Sequence, residues 1–242
     1  MIPRQLPLDL RFRPALDAED FLVADSNRAA VAWLDRWPDW PGRGLVIHGP
    51  PGCGKTHLVQ VWRRVSGAIQ IAPAALHRAT APVLLGSAVA CAIDGADGGT
   101  ESGARGANTK GANAKGAIDE HGLLHLYNML VERGGHLLLT ARRPPSAWNV
   151  ALPDLGSRLA ALGQVGVADP DDHLIAALLV KLFADRRLVV GEDVVLYLAG
   201  RMERSFAAAG RLVEALDRAA LASGRRVTVR LARDVLEREG GG

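Results

Sequence analysis

Residues 49–56, Gly49-Pro50-Pro51-Gly52-Cys53-Gly54-Lys55-Thr56, match the pattern GxxxxGK[ST], a spacing whose chemistry is the capture of a nucleoside polyphosphate. Gly49, Gly52 and Gly54 permit the backbone angles that turn successive N–H groups toward one anion. Lys55 is placed to reach the β- and γ-phosphates and the Thr56 hydroxyl to ligate Mg²⁺, so the loop from Gly49 to His57 is expected to hold ATP or ADP. A Gly-rich turn before a helix arises by chance, but a match that includes both outer glycines, the lysine and the threonine is specific. Cys53 lies inside the loop, where only a small residue is required, and predicts no redox chemistry.

A magnesium–nucleotide site also needs a carboxylate on a neighbouring strand. The run VACAID, residues 89–94, is short, apolar and strand-like, and it ends in Asp94, the expected second ligand-bearing group of the metal site beside Thr56. In ATPases that hydrolyse well a second acid follows and polarises the attacking water. Here that position is Gly95, and the nearest other acid is Asp97, so the sequence predicts a site that binds nucleotide and turns it over slowly unaided.

The elements that would position these groups alternate. Strands are expected near 45–48, 68–71, 89–93 and 136–140, and helices near 26–37 (with Ser26 as N-cap), 56–65 and 120–133, which together make a parallel α/β sheet covered on both faces. The stretch 98–118 interrupts this pattern: Gly and Ala fill 11 of its 21 positions, too little apolar surface to order itself, so it reads as a mobile insertion. After Pro170 only amphipathic helical patterns remain, at 171–187, 191–202, 204–224 and 228–239. The predicted organisation is an extended arm over 1–11, a nucleotide-binding α/β core over 12–167 and an all-helical domain over 168–242. A P-loop α/β core followed by a small helical lid is the architecture of an AAA+ ATPase.

Composition narrows the class. The 242 residues are 48% hydrophobic and 23% charged, ordinary for a globular chain, and no apolar run reaches the length of a membrane helix. Two cysteines and no secretory signal pattern predict a reduced, cytoplasmic protein. The isoelectric point near 9.2 suggests nucleic acid, but the net charge is only +3 and lysines number four, Lys55, Lys110, Lys115 and Lys181. Such an Arg-, Ala- and Gly-rich balance reads as coding bias and not as a binding face.

Four stretches carry a resemblance: GPPGCGKTHL, CAIDGAD, LLLTARRPPSAWNVALPDLGSRL, and RMERSF with the later ALDRA. They resemble the DnaA family of AAA+ proteins, and within it most closely the clamp-associated regulators that inactivate the replication initiator, over nearly all of residues 5–237 outside the insertion. The resemblance implies a sensor of the γ-phosphate at Thr140 with Arg142 close by, an arginine finger at Arg158, and adenine contacts from Phe21, Leu22 and Val23. The family's lid arginine falls on Ala207, so Arg204, one turn earlier, is the preferred substitute, with Arg211 the alternative. The family's initiator continues beyond its lid into an origin-reading domain; no counterpart is seen within residues 1–242, and no sequence-specific DNA contact is expected.

The same resemblance gives the arm a partner. Gln5-Leu6-Pro7-Leu8-Asp9-Leu10 is similar to the peptides that dock on the DNA polymerase sliding clamp: Pro7 biases Leu6 to an extended backbone, Leu6, Leu8 and Leu10 fill an apolar groove, and the Gln5 amide pairs with main-chain groups. The function implied is a clamp-bound, ADP- or ATP-loaded regulator whose Arg158 acts in trans on ATP held by DnaA. Two other readings stay open, a non-hydrolysing adaptor that holds DnaA at the clamp and a free-standing AAA+ ATPase or helicase loader, and the sequence leaves homo-oligomerisation undetermined.

Overall fold

The computed structural model describes residues 22–98, 118–223 and 226–240. The arm residues Gln5, Leu6, Leu8 and Leu10, the adenine candidate Phe21 and all but the outermost positions of the 98–118 insertion lie outside the described residues. The chain divides into two compact units, an α/β unit over 27–168 and a helical unit that comprises 169–240 and the short stretch 22–26.

The α/β unit is built on five parallel strands: β1 (Gly44–His48), β2 (Ile69–Gln70), β3 (Ala90–Ile93), β4 (His136–Ala141) and β5 (Gly163–Gly166), in spatial order β2-β3-β4-β1-β5. Central strands β3 and β4 are buried at every position, which explains their unbroken apolar sequence. Helices α1 (Arg28–Asp35) and α2 (Lys55–Ser66) lie on one face, α1 against β5 and α2 against β3 and β4. On the other face α3 (Ala81–Leu85), α4 (Glu120–Glu132) and α5 (Pro153–Ala161) enclose a core in which Val46, Cys91, Ile93, Leu137 and Leu139 meet Leu123, Leu126, Leu130, Leu155 and Leu159. Burying this core is what orients the strand ends that carry the site.

Several local expectations are corrected. The N-cap of α1 is Asn27, not Ser26, and no side chain caps the helix; it runs eight residues and ends at Asp35 because the chain turns through Arg36 into Pro38. Strand β5 and helices α3 and α5 add to the predicted set. Strand β5 reads Gly-Gln-Val-Gly, in which Val165 alone favours a strand; its glycine at 163 is required because a Cβ there would meet the Trp33 ring at 2.9 Å.

In the helical unit, α6 (Asp172–Asp185), α7 (Glu192–Ala199), α8 (Phe206–Ser223) and α9 (Val229–Gly240) pack around Leu179, Phe183, Leu198, Val213 and Leu216. Asp171 caps α6 by accepting the Leu174 N–H at 2.7 Å, and Ser205 caps α8 by accepting the Ala208 N–H at 3.0 Å. None of the described helices is long and apolar enough to cross a membrane.

Candidate functional site

Sheet register brings the chemistry together. Pairing of Ile47 with Thr140 and of Ile93 with Leu139 sets the exits of β1, β4 and β3 side by side, so the loop after His48, the Thr140 side chain and Asp94 share one edge of the sheet. The loop from Gly49 to Gly54 then leads into α2, whose first residue is Lys55 and whose N-cap Gly54 is left-handed (φ 100°) with no side-chain cap. A left-handed Gly52 (φ 77°) followed by the left-handed Gly54 turns the loop directly into the start of α2, a backbone shape suited to a phosphate. Gly49 is fixed by space: a Cβ there would stand 2.2 Å from the Val167 carbonyl oxygen.

Lys55 is 2% exposed, and its ammonium donates to the carbonyls of Gly49 (2.9 Å) and Pro50 (2.7 Å). A buried ammonium satisfied by two backbone oxygens of its own loop is held at the cradle's centre and exchanges weak partners for phosphate oxygens at little desolvation cost. Cys53 is buried beside it, its sulfur 3.7 Å from Lys55 Nζ. Burial, assisted by the positive charge of Lys55, holds the His48 imidazole below its ordinary pKa of 6.5, so the strand end facing the loop stays neutral near pH 7.

Asp94 is the hub. Thr56 donates its hydroxyl to Asp94 Oδ2 at 2.7 Å, and Thr140 donates to Asp94 Oδ1. Thr140 is fully buried and in turn accepts the Gly95 N–H at 2.9 Å, while the Ala96 N–H reaches the Thr140 carbonyl at 2.8 Å. Thr56 and Asp94 offer adjacent hard oxygens, the donor set Mg²⁺ takes when it keeps waters and completes its shell from phosphates; no cluster of three or more His, Cys, Asp or Glu forms an all-protein metal cage among the described residues. Gly95, at the position where a second acid would stand, is left-handed (φ 80°).

The other predicted residues divide. Pro51 is exposed on the loop, and His57 lies exposed in the first turn of α2. Arg158 lies in the last turn of α5, exposed, and its guanidinium makes no hydrogen bond or ion pair to any described residue. Leu22 and Val23 belong to the helical unit and are half-buried. There Arg204 pairs with Asp172 at 2.9 Å, both exposed, and Arg211 with Glu203 at 3.8 Å, while Ala207 is exposed on α8. Exposed pairs of this kind are worth about 0–1 kcal/mol, so Arg204 is readily released to an anion.

Sequence reading missed what two carboxylates hold. Asp97 Oδ2 accepts the backbone N–H groups of Arg142 (2.8 Å) and Arg143 (3.3 Å), and Glu120 accepts those of Ala151 (2.9 Å) and Leu152 (2.8 Å). Nothing in periodicity announces either contact; Glu120 reads as an ordinary first-turn acid of α4.

A parallel sheet in this order, with the lysine-bearing loop after β1, a carboxylate after β3, a threonine hydroxyl near the end of β4 and a unit of four described helices, has the arrangement of an AAA+ module. Comparison with known proteins agrees. Residues 171–236 match the family model described as the Hda lid domain. The fold is similar to domain III of the Thermotoga maritima replication initiation protein DnaA, with 17% identity over 93% of this chain and 97% of that one at a TM-score of 0.70. It is also similar to AMPPCP-bound DnaA from Aquifex aeolicus, 18% identical over 94% of this chain and 69% of that one at a TM-score of 0.62. Thermotoga maritima RuvB, in a point-mutant form, follows with 13% identity, 80% and 62% coverage and a TM-score of 0.58. The chain therefore has an AAA+ fold similar to that of DnaA domain III, and its residues 171–236 are similar to the Hda lid domain.

Proposed function

We propose that this chain is a nucleotide-loaded regulator of replication initiation that docks on the sliding clamp and speeds ATP hydrolysis by DnaA with Arg158. One observation carries the reading: an exposed arginine without a partner among the described residues stands on α5 of a module whose own site has Gly95 where a water-activating acid would be. A guanidinium in that state suits action in trans, on charge that develops on another subunit's phosphates. The chain's own ADP or ATP, with Mg²⁺ at Thr56 and Asp94 and phosphates at Lys55, serves chiefly to set its shape.

Within its own site each residue has a definable task. Lys55 leaves the Gly49 and Pro50 carbonyls for the phosphates, and Thr140 and Thr56 fix the rotamer of the Asp94 carboxylate. Gln5, Leu6, Leu8 and Leu10 bind the clamp groove, which raises the concentration of Arg158 near DnaA on replicated DNA. Neither a membrane nor an origin sequence is needed as a partner.

The test is a reconstitution of DnaA, DNA-loaded clamp and this chain, with ATP hydrolysis as the readout. Stimulation is expected to require the clamp, to fall sharply in a Leu8→Ala/Leu10→Ala variant and to vanish in Arg158→Ala. Stimulation that survives Arg158→Ala overturns the finger and leaves an adaptor in its place.

A further inference from the structure

Thr140 at the end of β4 and Arg158 on α5 are joined by one segment, residues 142–152, and two carboxylates hold that segment at its two ends. At the start, Asp97 accepts the N–H groups of Arg142 and Arg143. At the finish, Glu120 accepts those of Ala151 and Leu152, with both of its oxygens on Ala151 at 2.9 and 3.0 Å and Oε2 also on Leu152 at 2.8 Å. Between them the Trp148 indole N–H donates to the Arg143 carbonyl at 2.8 Å, which closes the segment on itself.

The contact at Glu120 replaces something α5 lacks. Leu152 is the N-cap of α5 and offers no side-chain acceptor, and the helix opens on Pro153, so its entry is fixed from outside by the carboxylate on α4. A carboxylate that accepts two N–H groups is a charge-assisted clamp with directional geometry, stiffer than apolar contact alone. Helix α4 is in turn anchored at the same end, where Asp119 accepts the N–H groups of His121 (3.2 Å) and Arg78 (3.3 Å). The two segment-holding acids sit on either side of the Gly/Ala-rich insertion, Asp97 just before it and Glu120 just after it.

We propose that Glu120, with Asp97, is a positioning residue for Arg158: the pair holds segment 142–152 so that the end of β4, where the chain's own nucleotide is read, and the helix bearing the finger move as one piece. This rests on Arg158 being the finger. A finger acts only within a narrow geometry, and a misplacement of about 1 Å costs on the order of 100-fold in rate.

Two readouts test it on the full chain. First, spin labels at Arg158→Cys and Arg64→Cys, an exposed site on α2, report the placement of α5; the native Cys53 and Cys91 are buried and stay unlabelled. Glu120→Ala is expected to broaden the distance distribution and Glu120→Gln, which keeps one acceptor oxygen, to restore most of it. Second, in the DnaA assay Glu120→Ala is expected to lower the saturating rate by roughly 10- to 100-fold, with half-saturation and ADP affinity unchanged and Gln again restoring it. An unchanged distance distribution overturns the inference whatever the rate. So does a wild-type rate in Glu120→Ala where Arg158→Ala has none. A broadened distribution together with full activity in Arg158→Ala upholds the positioning and overturns the proposed function instead.

Discussion

Replacing Thr140 with valine keeps the shape of the side chain and removes one hydroxyl, and that hydroxyl has two partners. It donates to Asp94 Oδ1 and accepts the Gly95 N–H at 2.9 Å, at a position with no solvent exposure. Valine leaves the Gly95 N–H buried and unpaired, a loss of about 1–3 kcal/mol, and takes one donor from a carboxylate that still keeps Thr56, a loss of about 1 kcal/mol more. The sum is about 2–4 kcal/mol, and at roughly 2–4 °C per kcal/mol for a chain of this size the melting temperature should fall by about 5–15 °C. Differential scanning calorimetry without nucleotide measures it. Thr140→Ser, which keeps the hydroxyl and loses a methyl, should lose only about 1 kcal/mol. If valine costs less than about 2 °C, or no more than serine does, the hydroxyl is not the link between β3 and β4 and the account of Asp94 as a held carboxylate fails.

Other outcomes follow from the same geometry. Lys55→Ala should weaken ADP binding roughly 10- to 100-fold or more in titration calorimetry, the worth of one to two charge-assisted contacts, with the fold intact. Gly49→Ala should block expression of folded protein or nucleotide binding, because its Cβ would overlap the Val167 carbonyl at 2.2 Å; a variant that binds ADP normally contradicts the packing. Gly95→Glu should not create a vigorous ATPase, since φ 80° is a poor conformation for a side chain and the backbone N–H is committed to Thr140; steady-state turnover rising by about 100-fold would contradict this. Stability should decline on acidification. Burial holds the His48 and His136 imidazoles below their ordinary 6.5, so between that value and the folded-state values the unfolded chain binds more protons, and stability is lost as pH falls. His136 packs edge-on against Trp37 and Trp40, and His136→Gln should give a shallower fall in melting temperature between about pH 7.5 and pH 5.5 than the wild type.

The parts legible in the sequence were those whose residue types are dictated by their own chemistry or burial. GPPGCGKT announces a glycine turn running into a helix, as the left-handed Gly54 before α2 shows, and β3 and β4 are apolar throughout because helices cover both faces. The lid helices carry acidic or hydroxyl caps at Asp171 and Ser205 and an amphipathic stripe, and their predicted positions differ from the observed ones by only a residue or two at most ends. Strand β5 was not legible, because Gly163 is chosen for the close approach of Trp33 and not for strand propensity. Nor was the N-cap of α1, where Ser26 and Asn27 are equally good capping residues and the backbone turned at Asn27. The contacts of Asp97 and Glu120 were invisible for a different reason: each bonds backbone groups about 30 to 45 residues away, and backbone N–H groups leave no mark in a sequence.

The central claim is that Arg158 acts on ATP bound by another protein. Its most direct test is a single-turnover measurement: DnaA preloaded with γ-labelled ATP is mixed with an excess of this chain, in its ADP form, on DNA-loaded clamp, and phosphate release is followed for wild type and Arg158→Ala. The account predicts release with the wild type that is roughly 10³-fold or more faster than with Arg158→Ala, the range an arginine finger supplies. Equal rates with the two proteins would contradict it.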